Sequence, residues 1–368
     1  MKLHVISFDV PWPANYGGVI DIYNRLEALH QNGFEVILHA FDYGRGQSEE
    51  LLKICSEVNY YKRKNRALGL LRKDPMIIST RYSKELLQRL QKDDYPILFE
   101  GQHTTSFLDH PSLEGRKKLV RLHNVEHEYY SALNQETTNP GKSVYFKREA
   151  EKLRKHEDTL KNADHLLCIT QKDADYYQDK FGNASYLPVA IQCKAERNPS
   201  NSLSPFILYH GNLSVSENVN AAKWLLENIC LTIDHDFIFA GKDPSTELVK
   251  RVEKFSNVTL IENPSQELML KLIDSTIAHV FHTNQATGIK IKLLNSLCSG
   301  APIFCNETMV EGTGLKDACI VNDEPEQYVK SLNQFLVEGK LISDVDRKKR
   351  LESYSYSAHA DKLLSFLQ

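Results

Sequence analysis

ATGIKIKLLNSLCSGAPIF, residues 286–304, sets a Thr-Gly turn before an amphipathic segment and closes on Ser-Gly-Ala-Pro. A helix from about residue 288 to 299 puts Lys292, Asn295, Ser296 and Ser299 on one polar stripe and turns Ile291, Leu294 and Cys298, with Leu293 and Leu297, to the core. The unpaired N–H groups of a first helical turn already carry partial positive charge, so Lys290 and Lys292 are unfavourable there unless an anion visits. Amides and ammonium groups together could hold a diphosphate and stabilise a charged leaving group.

Outward from this segment, apolar runs of strand length alternate with amphipathic runs of helix length. That pattern predicts parallel sheets covered by helices on both faces. Strands are expected over 3–8, 35–40, 96–100, 118–122 and 165–169, then 206–209, 237–240, 258–261, 277–281, 302–305 and 319–321. Helices are expected over 19–31, 83–91, 125–133, 143–162 and 172–181. Between Cys193 and Pro205 the text turns polar and rich in Ser, Asn and Pro, which marks a linker. The fold class is therefore α/β, with two doubly wound Rossmann-like domains facing each other across a cleft. The first spans 1–195 and the second 205–353.

Composition fits this reading. A chain of 368 residues exceeds one ordinary core, and 41% hydrophobic with 25% charged residues describes a globular protein. The net charge of -3 gives no reason to expect nucleic acid. Residues 60–92 hold ten Lys or Arg with Leu68, Leu70, Leu71, Met76, Ile77 and Ile78 interleaved, which suits a solvated basic face, peripheral contact with an anionic membrane or reception of an anionic substrate. No run approaches a membrane span, and MKLHVISFDV meets Asp9 too early for a signal peptide, so a cytoplasmic setting is expected. Seven scattered cysteines without CxxC spacing read as reduced core thiols.

Ligands of doubly wound sheets collect beyond the carboxyl ends of the strands. Four histidines, His103, His123, His210 and His282, fall at expected strand exits. Gly17 and Gly18 open a helix after the first strand, where absent side chains let a phosphate or sugar approach backbone N–H groups, although a Gly-Gly pair also serves a tight turn. Gly211, Asn212, Ser214 and Ser216 offer the same at the second domain's entry, with Ser216 or Asn218 as helix caps. Lys242 follows the next strand. Asp234-His235-Asp236 precedes a strand, at the wrong edge for a metal site, and reads as a solvated turn.

These segments together resemble the group 1 type of retaining GT-B glycosyltransferases. PWPANYGG (11–18) matches that family's first-domain glycine loop, RLHNVEH (121–127) an acceptor-domain segment, HGNLSVSENVNA (210–221) the start of the donor domain, and 287–304 with VEGTGL (310–315) the nucleotide-sugar loop and helix. The resemblance implies transfer of a hexose from a UDP- or GDP-sugar to a glycan or lipid-linked acceptor, with retention, no metal and no other cofactor. It implies that His103, Lys290 and Lys292 act at the reacting centre. Gly17, Gly18, Gly211, Asn212, Lys242, Thr287, Gly288, Ile289 and Asn295 would hold the donor, and His123, Asn124 and Glu126 would line the acceptor side. It also implies that residues 354–368 return as a helix to the first domain.

The family usually carries two glutamates with seven residues between them, where this chain has Thr287 and Asn295, and the arginine that usually follows the donor-domain glycine is absent. Two other classes therefore fit: a catalytically silent sugar-nucleotide-binding subunit, and a nucleotide-sugar epimerase using Glu126 or Glu262.

Overall fold

A strand covered on both faces is buried along its whole length, and the first strand, β1 (Lys2–Ser7), buries five consecutive residues after Lys2, the polar His4 and Ser7 among them. The computed structural model describes residues 1–64, 73–193, 204–284, 291–339, 349 and 351–368. Thirteen strands and thirteen α-helices appear among them. They divide into two compact units, Met1–Ala190 with Tyr356–Gln368, and Ile191–Ser355.

Unit 1 holds β1, β2 (Glu35–Asp42), β3 (Glu57–Lys62), β4 (Ile97–Glu100), β5 (Lys118–Leu122), β6 (His165–Cys168) and β7 (Ala184–Tyr186). They form one parallel sheet in the order β3-β2-β1-β4-β5-β6-β7. Its helices are α1 (Gly17–Gln31), α2 (Met76–Ser79), α3 (Lys84–Leu90), α4 (Glu126–Glu136), α5 (Pro140–His156) and α6 (Gln171–Phe181). Side chains alternate across the sheet, so Leu3 and Val5 join Ile22, Leu26 and Leu29 of α1 on one face, while Ile6 joins Phe99, Val120 and Leu166 on the other.

Unit 2 holds β8 (Ile207–Asn212), β9 (Phe237–Lys242), β10 (Val258–Glu262), β11 (Ala278–Val280), β12 (Ile303–Cys305) and β13 (Ile320–Val321), parallel in the order β10-β9-β8-β11-β12-β13. Its helices are α7 (Ser216–Leu225), α8 (Thr246–Val252), α9 (Gln266–Ser275), α10 (Ile291–Ser299), α11 (Glu307–Val310) and α12 (Pro325–Glu338). The last helix, α13 (Tyr356–Leu367), packs on α1 in unit 1 through Ala360, Leu363 and Leu367.

Several expectations need correction. Strands β3 and β7 were not anticipated, because both are sheet edges, one at the start of the basic run and the other three residues long. Met76, Ile77 and Ile78 are buried in α2 and cannot face a membrane, and Leu68, Leu70 and Leu71 lie outside the described residues. The long helix starts at Pro140, because Asn139 Oδ1 accepts the Lys142 N–H and proline suits the first helical position. The first unit ends before Ile191, which pairs with Ser355 of unit 2. Cys193 and Cys298 are joined by a disulfide, since folding brings residues 105 apart in sequence to a Cα separation of 5.0 Å, a proximity that spacing along the chain cannot reveal. The other five cysteines are buried thiols. Among the described residues no helix is long and apolar enough to cross a membrane.

Candidate functional site

Each sheet reverses its strand order once, between β1 and β4 in unit 1 and between β8 and β11 in unit 2. The carboxyl ends of those strands are where doubly wound sheets place ligands, and polar residues gather at both.

In unit 1 the floor is the ring of Phe8, just past β1. His103 lies over it with ring centroids 5.0 Å apart, and His123 meets it edge-on at 5.5 Å. Two glycines make this packing fit. Gly101 has φ +72°, and a Cβ there would fall 2.8 Å from His103 Nδ1; a Cβ on Gly18 would fall 2.7 Å from Phe8 Cζ. Gly17 has nothing within 4 Å of that position and leaves the first turn of α1 open. Asp9 accepts the Val10 N–H at Oδ1 and the Tyr16 O–H at Oδ2.

Arg81 also lies by the Phe8 ring, 6.0 Å from its centroid, with Nε donating to Phe8 O at 2.7 Å and Nη1 to Ile77 O at 2.6 Å. Glu126, the first residue of α4, is buried, with an oxygen 3.9 Å from His103 Nδ1 and a hydrogen bond to the Asn124 side chain. Burial pushes its carboxyl up to about 8, with Arg81 opposing the shift. Burial, then Arg81, holds His103 well below the ordinary histidine range. At neutral pH Arg81 thus faces an uncharged acid and an uncharged imidazole. Sequence reading missed both Phe8 and Arg81; the arginine was hidden in a run of ten basic residues.

Beneath this surface lies a buried ion network. Asp21 pairs with Arg25 and with Arg121 (3.2 Å), Glu100 pairs with Arg25 (3.3 Å), and His123 Nε2 lies 3.4 Å from Glu100 and 3.6 Å from Asp21. His123 therefore turns its Nε2 into the network. Asp21, Glu100 and His123 are close enough together to ligate one cation. The two arginines already balance both carboxylates, however, which makes them a poor fit for a divalent ion.

In unit 2, β8 runs on through Asn212, so His210 is inside the strand and not at its exit. It is buried, its Nε2 3.0 Å from Ser296 Oγ, and burial with the Lys292 charge pulls it down to about 3. Gly211 and Gly241 are neighbours in the sheet, and a Cβ on Gly241 would fall 2.1 Å from Gly211 O. A Cβ on Gly211 would come within 3.1 Å of Asn218, so the glycine lets α7 lie close. Neither Ser216 nor Asn218 caps that helix, whose N-cap is Val215. Asn218 instead donates to Asn212 O at 2.9 Å and accepts from Lys292 Nζ at 2.7 Å. The ammonium also sits 5.6 Å from the Tyr209 ring centroid and 5.5 Å from that of Phe281, both cation–π distances.

Asn295, on the same helix as Lys292, is half-buried, whereas Ser296 and Ser299 leave the expected polar stripe to bond His210 and His279 in the core. At the exit of β11, His282 stacks on Trp224 (3.9 Å) and Thr283 Oγ1 donates to Glu217 at 2.6 Å. Lys242 is more than half exposed, 3.8 Å from Asp243. Thr287, Gly288, Ile289 and Lys290 lie outside the described residues.

No family profile matches this chain. An uncharacterised 44.6 kDa protein of the cps region of Klebsiella pneumoniae is 26% identical over 348 residues, 88% of each chain. Among solved structures, sucrose-phosphate synthase from Thermosynechococcus elongatus superposes with a TM-score of 0.69 at 12% identity, over 99% of this chain and 98% of that one. Anabaena HepE in complex with UDP and glucose superposes with a TM-score of 0.70 at 11% identity, over 100% and 99%.

Proposed function

We propose that this chain, which has the fold of the GT-B glycosyltransferases, is itself one: it moves a hexose from a UDP-sugar to a glycan or lipid-linked acceptor, with retention, in cell-envelope polysaccharide synthesis. The observation that carries the reading is Lys292. Its ammonium is held by Asn218 near the start of α10, at the strand-order reversal of unit 2. A cation fixed there is suited to the charge that develops on a departing nucleotide. The UDP and glucose bound by HepE, and the cps region of the Klebsiella relative, support the choice of donor and pathway class.

In this reading unit 2 takes the donor. Lys292, with Lys290, neutralises the diphosphate, Gly211 and Asn212 meet it through the backbone, Asn295 hydrogen-bonds the ribose, and Thr287 with Gly288 and Ile289 meets the sugar. Lys242 is a further diphosphate cation once freed from Asp243. Unit 1 takes the acceptor beside Asn124 and Glu126, and its Gly17 and Gly18 amides and neutral His103 offer hydrogen bonds to the donor sugar. A donor phosphate oxygen accepts the acceptor hydroxyl proton as the C1–O bond to the nucleotide breaks and the new glycosidic bond forms on the same face. The protein's part is positioning and electrostatics. Nucleotide-sugar use argues for a cytoplasmic site of action.

A neutral Asn295 where the family this sequence resembles usually has a glutamate favours one second reading, a silent sugar-nucleotide-binding subunit. Incubation with UDP-sugars and a panel of glycan and lipid-linked acceptors, following free UDP, tests both. Acceptor-dependent release supports the transferase, binding without release supports the subunit, and interconversion of donors would make the protein an epimerase.

A further inference from the structure

Four arginines of unit 1 are buried: Arg25, Arg81, Arg116 and Arg121. Three of them meet a carboxylate, Asp21 for Arg25 and Arg121 and Asp93 for Arg116. Arg81, 5% exposed, does not: among the described residues no carboxylate lies within ion-pair distance of it. Its hydrogen bonds go to the carbonyls of Phe8 and Ile77, which leaves part of its five-donor fork without an acceptor among the described residues. The largest anionic influence on it is Asp9, each of whose oxygens already accepts a hydrogen bond, from Val10 N–H and Tyr16 O–H. Burial and the neighbouring Arg63 push the guanidinium down to about 9, still charged at neutral pH. A buried cation without a counter-ion is costly, and chains retain one where a ligand supplies the missing charge.

The surroundings agree. Arg81 and His103 both pack by the Phe8 ring, which Gly18 borders, and the His103–Glu126 pair is uncharged near neutral pH. No side chain caps α1 at Tyr16, so the first-turn N–H groups add positive potential from the same side. The groups left to bind are donors, and a planar guanidinium edge matches paired anionic oxygens.

We propose that Arg81 receives an anionic group of the acceptor, so that the hydroxyl to be glycosylated belongs to an acidic sugar or to a phosphorylated sugar or polyol. This rests on the reading that unit 1 takes the acceptor. Both sources present the same chemistry, two oxygens sharing negative charge, and the test separates them.

Isothermal titration of the full-length protein with glucuronate, with glycerol 3-phosphate and with neutral glucose reads the site directly. The wild type is expected to bind one of the two anions at least tenfold more tightly than glucose. Glucuronate binding identifies a carboxylate ligand, and glycerol 3-phosphate binding a phosphate. R81Q should lose at least tenfold in that affinity while glucose is unaffected, and R81K should recover part of it. Equal affinity of R81Q and wild type, or no preference of the wild type for either anion over glucose, overturns the proposal. Should R81Q not fold, a crystal structure of the wild type with the tighter anion decides, since density on Arg81 supports the assignment and density only elsewhere ends it. Anion binding at Arg81 in a protein that never consumes a UDP-sugar would leave this site standing and remove the transferase reading. UDP release with neutral acceptors alone, and no anion at Arg81, would do the reverse.

Discussion

Lys292 and Asn218 sit 74 residues apart in sequence, and the ammonium of one donates to the amide oxygen of the other at 2.7 Å. The cation on α10 is therefore aimed by α7, which is held in turn by the Asn218 hydrogen bond to Asn212 O. If that charge offsets the leaving group, K292A should lower turnover at least about tenfold, equal to about 1.4 kcal/mol of transition-state stabilisation. N218A should cost less, because it removes one partner of the lysine and leaves the charge in place. UDP-release rates at saturating donor measure both, and unchanged turnover in K292A would refute the role.

Gly17 and Gly18 are adjacent but not equivalent. A methyl at Gly17 meets nothing within 4 Å, whereas at Gly18 it would fall 2.7 Å from the Phe8 ring that floors the unit 1 site. G17A should keep the wild-type melting temperature or raise it slightly, since alanine favours a helix by up to about 1 kcal/mol over glycine. G18A should melt lower and bind acceptor more weakly. Thermal denaturation of the pair is the check; equal melting points would contradict the packing described.

Glu126 makes stability depend on pH in an unusual direction. Its carboxyl is raised by burial to about 8 from an unfolded value of 4.5. Below about pH 4.5 both states hold the proton and the residue contributes nothing. Between 4.5 and 8 the unfolded chain ionises while the folded one does not, so folding is penalised increasingly, by an order of a few kcal/mol at the top of the window. E126Q should abolish the penalty and become more stable than wild type as pH rises from 5 to 8. Urea denaturation at pH 5, 6.5 and 8 measures the gap, and a gap that stays constant would count against a buried neutral acid.

Asp21 behaves oppositely. Burial alone would raise its carboxyl, but Arg121, Arg25 and His123 outweigh burial and hold it far below the usual range. Its contribution is thus complete above about pH 4 and fades as the folded carboxylate protonates in stronger acid. D21N leaves two buried guanidiniums short of a partner and should cost about 3–5 kcal/mol at pH 7, read by chemical denaturation. A loss under about 1 kcal/mol would mean that the network reorganises around the amide.

The Cys193–Cys298 disulfide gives a direct chemical test. Denaturation in iodoacetamide without reductant should alkylate the five free cysteines, and seven after reduction. Reduction should lower the stability of unit 2 by about 2–4 kcal/mol. Seven alkylated thiols in the unreduced protein would contradict the pairing.

What the sequence made legible follows from where information is local. Apolar runs located β1, β2, β4 and β5 within a few residues, because strands covered on both faces are predominantly apolar even where a buried His39 or Arg121 interrupts the run. The edge strands β3 and β7 escaped, since half-covered strands tolerate charge and short length. At the site, His103, Glu126 and Lys292 were visible as strand exits and a helix start. The unpaired state of Arg81 was not, because a missing counter-ion is a fact about three-dimensional neighbours, and neither was the diversion of His210 and Ser296 into the core.

Helix α13 belongs to unit 1 although it is the last segment of the chain. On the ribosome, Leu363 and Leu367 reach the core of Leu26 and Leu29 only after the 165 residues of unit 2 have been made. At bacterial-to-eukaryotic synthesis rates that wait is about 10–30 s. During it a strip of apolar surface on α1 stays bare, so the nascent first half is a natural client for chaperones until α13 has been made.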